Sequence, residues 1–211
     1  MNSVSSDSAR NSILTKLRHT PARHEGKQYS PVSSVDDYFV QVSSGKLITT
    51  FSENLIQLSG ECIMCDSEKE AFEALSGIVS SHTVYVAQPY VQQLCERYSQ
   101  SYDLQEACAE NCVYSLTTCD ALAARTASVI FSSNTIQSRT LISAPEVHIV
   151  IAYEKQLVPD LPQALQNIPA RDSSQLTVVT GPSRTADIEK TLVLGAHGPK
   201  RLCVIIIKDD A

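Results

Sequence analysis

Short apolar runs alternate with helical stretches along most of the chain after residue 35. Residues 35–60 carry apolar side chains at helical intervals and stop at Gly60, a residue that favours a helix C-terminus. The segments ECIMCD and TVYVAQ predict strands, and SEKEAFEALSGIVSS and YVQQLCERYSQ predict helices, the first of them capped by Ser67. This alternation is typical of an α/β domain with a mostly parallel central sheet flanked by helices.

Strand-like segments dominate the second half of the chain. The run NCVYSLTTCDALAARTASVIFSS predicts a strand, a short helical piece and another strand, and QLTVVT predicts one more. Two runs, EVHIVIAY and RLCVIIIKD, are too apolar for a strand that faces solvent. We therefore expect both to lie centrally in the sheet.

The first 34 residues differ from the rest. They are polar and rich in serine, they contain Pro21 and Pro31, and Ile13, Leu14 and Leu17 predict one short helix over residues 11–18. The sequence therefore predicts a short N-terminal arm over residues 1–34, partly helical or irregular, and one α/β domain over residues 35–211.

Charge and composition narrow the classes of partner. The 211 residues carry a net charge of −6, and no cluster of lysine and arginine offers a basic surface to nucleic acid or to a membrane. No apolar run approaches the roughly 20 residues that a membrane span needs, and the first residues lack the apolar core of a signal peptide. Seven cysteines, an odd number, suit a reducing compartment, so we expect a cytoplasmic protein.

The cysteine spacing does not predict a metal site. Cys62 and Cys65 form a C-x-x-C pair, but they fall inside a predicted strand, where residues three apart point to opposite faces. Cys108, Cys112 and Cys119 follow no iron–sulfur pattern, and Cys95 and Cys203 look like small core residues. We expect no metal and no cofactor in this chain.

Polar residues cluster in the segment GPSRTADIEKTLVLGAHGPKRL, residues 181–202. A turn after a strand presents backbone N–H groups to an anion, and Arg184 adds a charged fork beside the hydroxyls of Ser183 and Thr185. Such a turn, opening a helix near Thr185, would lie at the carboxyl end of a strand, where α/β sheets bind ligands. The alternative is a helix cap with Arg184 paired to Asp187 or Glu189.

Three further residues are candidates for the same cleft. His197, in GAHGP beside Gly198, suits acid–base work, although a loop histidine is more often a structural hydrogen-bond partner. Arg125 and Arg139 lie beside strand-like runs and could reach a cleft, although solvation at the surface is the commoner role. The candidate set is therefore catalytic residues His197, Asp187 and Glu189, with ligand-binding residues Ser183, Arg184, Thr185, Gly198, Arg139 and Arg125.

The same residues resemble a known signature. GPSRTADIEKTLVLGAHGPKRL, preceded by PEVHIVIAYEKQLVPDL, closely resembles the LUD-domain family in its lactate-utilisation protein C (LutC/YkgG) branch, strongly over residues 145–208 and collinearly back to about residue 35. The resemblance implies a fold similar to the NagB/RpiA/CoA-transferase group. It also implies a subunit of a cytoplasmic system that oxidises L-lactate to pyruvate, beside Fe–S oxidoreductase subunits that carry the clusters.

One segment departs from the family pattern. Relatives commonly show an AETGT-like segment where this chain has AARTAS, so that Arg125 stands at the acidic position and Ala127 at the glycine. This change leaves three hypotheses open: a lactate-utilisation subunit that binds a small carboxylate or a partner through the GPSRTADIE and GAHGP loops, an autonomous CoA-transferase-like or sugar-phosphate isomerase-like enzyme, and a non-catalytic assembly subunit.

Overall fold

The computed structural model describes residues 5–19, 42–104, 113–136, 139–168, 175–186, 192–194 and 198–209. The chain divides into two compact units, Met1–Val40 and Gln41–Ala211. In the first unit, helix α1 covers Ser5–His19. It therefore contains, and extends at both ends, the short helix predicted over residues 11–18.

A six-stranded parallel sheet forms the centre of the second unit, with strand order β1-β12-β7-β4-β2-β3. The two most apolar runs become β7 and β12, which pair with each other from Arg201↔Val147 to Ile207↔Tyr153. Both are flanked by other strands, which confirms their predicted central place. The six strands are β1 (Glu61–Cys65), β2 (Val84–Tyr85), β3 (Tyr102–Asp103), β4 (Tyr114–Thr118), β7 (Val147–Tyr153) and β12 (Arg201–Ile207).

Helices cover this sheet where the sequence predicts them. A 3-10 turn at Ser44–Lys46 leads into α2, and residues 35–41 of the predicted first helix lie outside the described residues. Ser67 caps α3 as expected, because its side chain accepts a hydrogen bond from the Glu70 N–H at 3.2 Å. The helices of this unit are α2 (Leu47–Gln57), α3 (Glu68–Val79), α4 (Pro89–Arg97), α5 (Thr140–Ser143) and α6 (Leu161–Asn167). None of the described helices is long and apolar enough to cross a bilayer.

A second, four-stranded sheet has the order β8-β5-β6-β9 and is mostly antiparallel. Its strands are β5 (Ala121–Ala123), β6 (Ser128–Ser132), β8 (Leu157–Val158) and β9 (Leu176–Thr180). The short helical piece expected here was therefore wrong. Alanines favour a helix locally, but Leu122 and its two neighbours are buried and pair with β6, and Leu122 and Ala123 also pair with β8. Tertiary pairing therefore decides the conformation.

The core has one large cluster on each face of the parallel sheet, because side chains alternate along the strands. On one face, Ile149 of β7 and Ile205 of β12 pack with Phe72 of α3. On the other face, Val150 and Val204 pack with residues of α2 and of the second sheet. The parallel sheet is thus buried on both sides, as purely parallel sheets require.

Candidate functional site

Two segments of the sequence signature, GPSRTADIE (residues 181–189) and GAHGP (residues 195–199), come together at Ser183 and Pro199. The Ser183 N–H donates a hydrogen bond of 2.9 Å to the Pro199 carbonyl. A methyl group added to Gly198 would lie 3.1 Å from the Ser183 Cβ, so glycine permits this close approach. Beyond these contacts, β10 (Arg184–Ala186) pairs antiparallel with β11 (Leu192–Leu194). We call the two segments the signature loops.

The helix expected to open near Thr185 is absent from the described residues, since β10 occupies that position. The turn before β10 depends on Gly181, whose φ of 76° is unfavourable for other residues. A side chain there would also meet Leu58, at the end of α2, with Cβ atoms only 3.1 Å apart. The turn is therefore fixed by close packing against α2.

The AARTAS segment forms the turn between β5 and β6 and lies next to the signature loops. Ser128 pairs with Thr180, the last residue of β9, and their hydroxyl oxygens are 2.7 Å apart. The Asn54 side chain of α2 donates to the carbonyl of Ala124 at 3.2 Å and to that of Arg125 at 3.0 Å. The segment that departs from the family pattern therefore adjoins the GPSR turn.

The AARTAS segment has an unusual backbone conformation at Ala127. Its φ of 48° lies in the left-handed region, where an L residue is strained and glycine is not. Glycine, which the resemblance implies at this position in relatives, is thus the residue that the backbone favours, and this chain keeps the turn with alanine.

The described residues of the signature loops lie next to the amino-terminal edge of the parallel sheet. Pro199 comes just before β12, and the Lys200 N–H donates to the carbonyl of Glu146, just before β7. Arg201, the first residue of β12, donates two hydrogen bonds to the Glu61 carboxylate at the start of β1, at 2.8 and 2.9 Å. The turn follows the carboxyl end of a strand, as expected, but it does not lie outside the carboxyl ends of the parallel strands. The reason is that β9, which delivers the turn, belongs to the second sheet and not to the parallel one.

Among the candidates that the structure describes, Arg139 lies apart from Arg125 and Ser183. Arg139 precedes α5 and lines a groove with Gln175 and Thr177, near the end of the β6–β9 pair where Ser132 meets Leu176. The pair Ser128 and Thr180, beside the signature loops, marks the opposite end. Arg125 and Ser183 are thus brought to one end of β9 and Arg139 to the other. His197, Asp187 and Glu189 lie outside the described residues.

A buried histidine that is not among the sequence-predicted candidates lies between the two sheets. His148, on β7, is 0% exposed; its Nε2 is 2.8 Å from the Thr117 hydroxyl, and its ring lies 5.6 Å from that of Phe131. Burial lowers the pKa of His148 to about 3. Its Nδ1 has no hydrogen-bond partner within the described part of the chain. The signal in the sequence was one polar residue inside the apolar run EVHIVIAY.

The C-x-x-C pair has the geometry that its strand predicts. Cys62 packs with the core cluster on one face of the parallel sheet, and Cys65 belongs to the cluster on the other face. Burial raises the pKa of both thiols. Cys108 and Cys112 lie outside the described residues. Within the described ranges, no group of three or more His, Cys, Asp or Glu side chains could hold a metal ion.

Comparison with known proteins places this chain in a family. The model of the LUD domain matches residues 48–207. The chain belongs to the LUD-domain family. This confirms the resemblance carried by the signature, and the LUD domain extends from α2 to the end of β12.

Similar proteins share one description. The protein called lactate utilization protein C from Anoxybacillus flavithermus is 28% identical over 173 residues, which cover 81% of this chain and 74% of that protein. Its counterpart from Shouchella clausii is 28% identical over 176 residues, which cover 81% of this chain and 73% of that protein. A protein of the same description from Deinococcus radiodurans is 35% identical over 95 residues, 44% of this chain and 45% of its own.

A solved structure supports the fold. The crystal structure of a DUF162 family protein from Deinococcus radiodurans superposes with a TM-score of 0.62 at 18% identity, and the match covers 79% of this chain and 99% of that one. At this identity the likeness concerns the fold, and it confirms the predicted α/β architecture with a mostly parallel sheet.

Proposed function

We propose that this chain takes part in lactate utilisation, as a subunit that binds a small carboxylate or a partner subunit through the signature loops. The similarity to proteins called lactate utilization protein C supports a role in lactate utilisation. The observation that carries the site is the hydrogen bond from Ser183 to Pro199, which joins two segments that are separate in the sequence. The AARTAS turn beside them adds a third segment.

The residue types in these segments suit a carboxylate with a hydroxyl or oxo group beside it. The guanidinium of Arg184 offers the planar fork that matches a carboxylate, and Arg125 brings a second positive charge to the adjoining turn. Ser183 and Thr185 supply hydroxyl donors, and Gly198 lets the ligand approach the backbone. In this proposal His197 serves the hydroxyl or oxo end, with Asp187 and Glu189 as the nearby acids.

The test of the site uses one conservative substitution. Arg184→Lys keeps the positive charge but removes the fork, so the affinity for L-lactate or pyruvate in isothermal titration is expected to fall by about tenfold or more. Arg139→Lys, the same change at the other end of β9, is the matched control and should leave affinity unchanged. Unaltered binding with a lower melting temperature would instead make Arg184 a structural ion-pair partner.

The test of the subunit role is co-purification under anaerobic conditions. Recovery of Fe–S oxidoreductase subunits by mass spectrometry, with the iron in those partners, would support the proposal. A chain that purifies alone and turns over an acyl-CoA or a sugar phosphate would favour the autonomous enzyme. Partners that bind equally well to wild type and to Arg184→Lys, with no ligand binding in either, would favour the assembly subunit.

A further inference from the structure

A polar cavity of about 610 Å³ lies at the carboxyl edge of the parallel sheet, away from the signature loops. Its walls come from the residues after β1, after β7 and after β12, with Tyr98 from the end of α4. The volume lies in the range of small-molecule sites. Since β12 spans Arg201–Ile207, the cavity and the signature loops are separated by about 20 Å along that strand.

The connections of the sheet open a crevice at this point. After β1 the chain continues into α3, which packs with the core cluster containing Ile149. After β7 it continues into β8, whose Leu157 packs with the cluster on the opposite face. β12 lies between β1 and β7. Open α/β sheets bind ligands outside the carboxyl ends of their strands, where the connections leave towards opposite faces. Here the strands on the two sides of β12 have such connections.

One wall of the cavity is held in place by Glu68, at the start of α3. Its Oε1 accepts a hydrogen bond of 2.7 Å from the Tyr153 hydroxyl. Its Oε2 accepts bonds from Tyr98 at 3.0 Å and Arg97 at 2.9 Å, and the Tyr90 hydroxyl is 2.6 Å from that of Tyr153. A carboxylate has about four acceptor positions, so Oε1 can take one more hydroxyl donor.

The charges around the cavity are divided between paired and available groups. Lys208 is bound to Asp66, Arg97 to Glu68, and Lys69, which also lines the cavity, to Glu73. Lys155 and Asp209 also line the cavity, and neither takes part in an ion pair within the described residues. The Lys155 ammonium lies 5.2 Å from the centre of the Tyr153 ring. The site thus offers one available cation beside carboxylate acceptors.

The geometry points to a second ligand site, in which this cavity binds a small polyhydroxylated anion. Lys155 pairs with the carboxylate or phosphate of the ligand, and Glu68 and Asp209 accept hydrogen bonds from its hydroxyl groups. Acceptors of this kind favour hydroxyl-bearing ligands over a bare anion, because a bare anion has no hydrogen to donate and would be repelled by the carboxylates.

Isothermal titration with D-glycerate and glycerol 3-phosphate tests this inference, with propionate and propyl phosphate as matched ligands that lack the hydroxyl groups. At least one hydroxylated probe is expected to bind more tightly than its match; which one it is identifies the anionic group. Lys155→Gln should weaken that binding about tenfold, the typical effect of one charged hydrogen bond. Lys200→Gln removes an exposed lysine at the amino edge of the same sheet and is the control.

Three results would overturn the inference. The first is no binding of either hydroxylated probe, and the second is binding of propionate and propyl phosphate as tight as that of the hydroxylated probes. The third is an equal loss in Lys155→Gln and Lys200→Gln, which would indicate a general charge effect. Arg184→Lys should not alter binding here, so a failure of this site and a failure of the signature loops are separate results.

Discussion

Acid should destabilise this protein through His148, and replacing that residue should remove the effect. The folded pKa of His148 is lowered to about 3 because the imidazole is buried, whereas an unfolded chain has a histidine pKa near 6.5. The unfolded state therefore binds the proton more readily. The stability of the neutral, buried form is fully present above pH 6.5 and is lost as pH falls from there towards 3.

The unfolding free energy lost at pH 5 follows from the protonation of this histidine in the unfolded chain. Between pH 7.5 and 5 the unfolded histidine gains nearly one proton, while His148 in the folded state stays neutral. The lower pH, 5, lies about 1.5 units below the unfolded histidine pKa of about 6.5, which corresponds to about 2 kcal/mol of unfolding free energy. Any folded pKa below about 4 gives nearly the same figure.

The variant must not leave a new unpaired group. His148→Leu alone would strip the Thr117 hydroxyl of its buried partner, at a cost of about 1–3 kcal/mol. The double variant Thr117→Val with His148→Leu removes both polar groups. His82→Leu removes an exposed histidine and is the control.

The assay is urea unfolding of each protein at pH 7.5 and pH 5. The difference in unfolding free energy between the two pH values should shrink by about 2 kcal/mol in the double variant relative to wild type. If the double variant loses as much stability as wild type over this interval, His148 does not remain neutral in the folded state and the reasoning is wrong.

Three shorter predictions test other features. Ala127→Gly should change the unfolding free energy by less than about 1 kcal/mol, because the backbone strain relieved at a φ of 48° offsets the lost methyl burial and the added entropy of the unfolded chain. Ala123→Gly in β5 relieves no such strain, so an equal loss of unfolding free energy in both variants would contradict this. A chain starting at Gln41 should melt cooperatively near the wild-type temperature, since Ile13 of α1 is 59% exposed; loss of a cooperative transition in calorimetry would refute it. Anaerobically purified protein should contain no stoichiometric zinc or iron, because Cys62 and Cys65 face opposite sides of β1; elemental analysis giving about one metal per chain would overturn this.

The sequence predicted those elements whose apolar pattern decides their place. β7 and β12 could be placed at the centre because an unbroken apolar run needs cover on both faces. β5 could not be recognised, because its alanines favour a helix and only pairing with β6 and β8 makes them a strand. The same limit applied at Thr185, where the partner strand β11 decides the conformation.

Parts of the candidate site could be predicted and others could not. The motif quoted from residues 181–202 identified both signature loops, and the structure brings Ser183 and Pro199 into contact. Arg139 could not be separated from them by sequence, because proximity to a strand along the chain says nothing about which end of that strand a residue occupies. The cavity beside Glu68 needs the strand order and the direction of each connection, and neither is a local property of the sequence.

The place of β12 has a consequence for folding kinetics. This strand pairs with β1, where Glu61 meets Cys203, and with β7, where Val147 meets Arg201. The pairing of Glu61 with Cys203 closes a loop about seven times as long as a hairpin of some 20 residues. Closing so long a loop costs chain entropy before the stabilising contacts form, and this slows folding. While the segment of β12 is still unmade during synthesis, β1 and β7 each present an unpaired apolar edge. This interval is when the chain is most exposed to aggregation, and chaperone binding during synthesis should concentrate on these two edges.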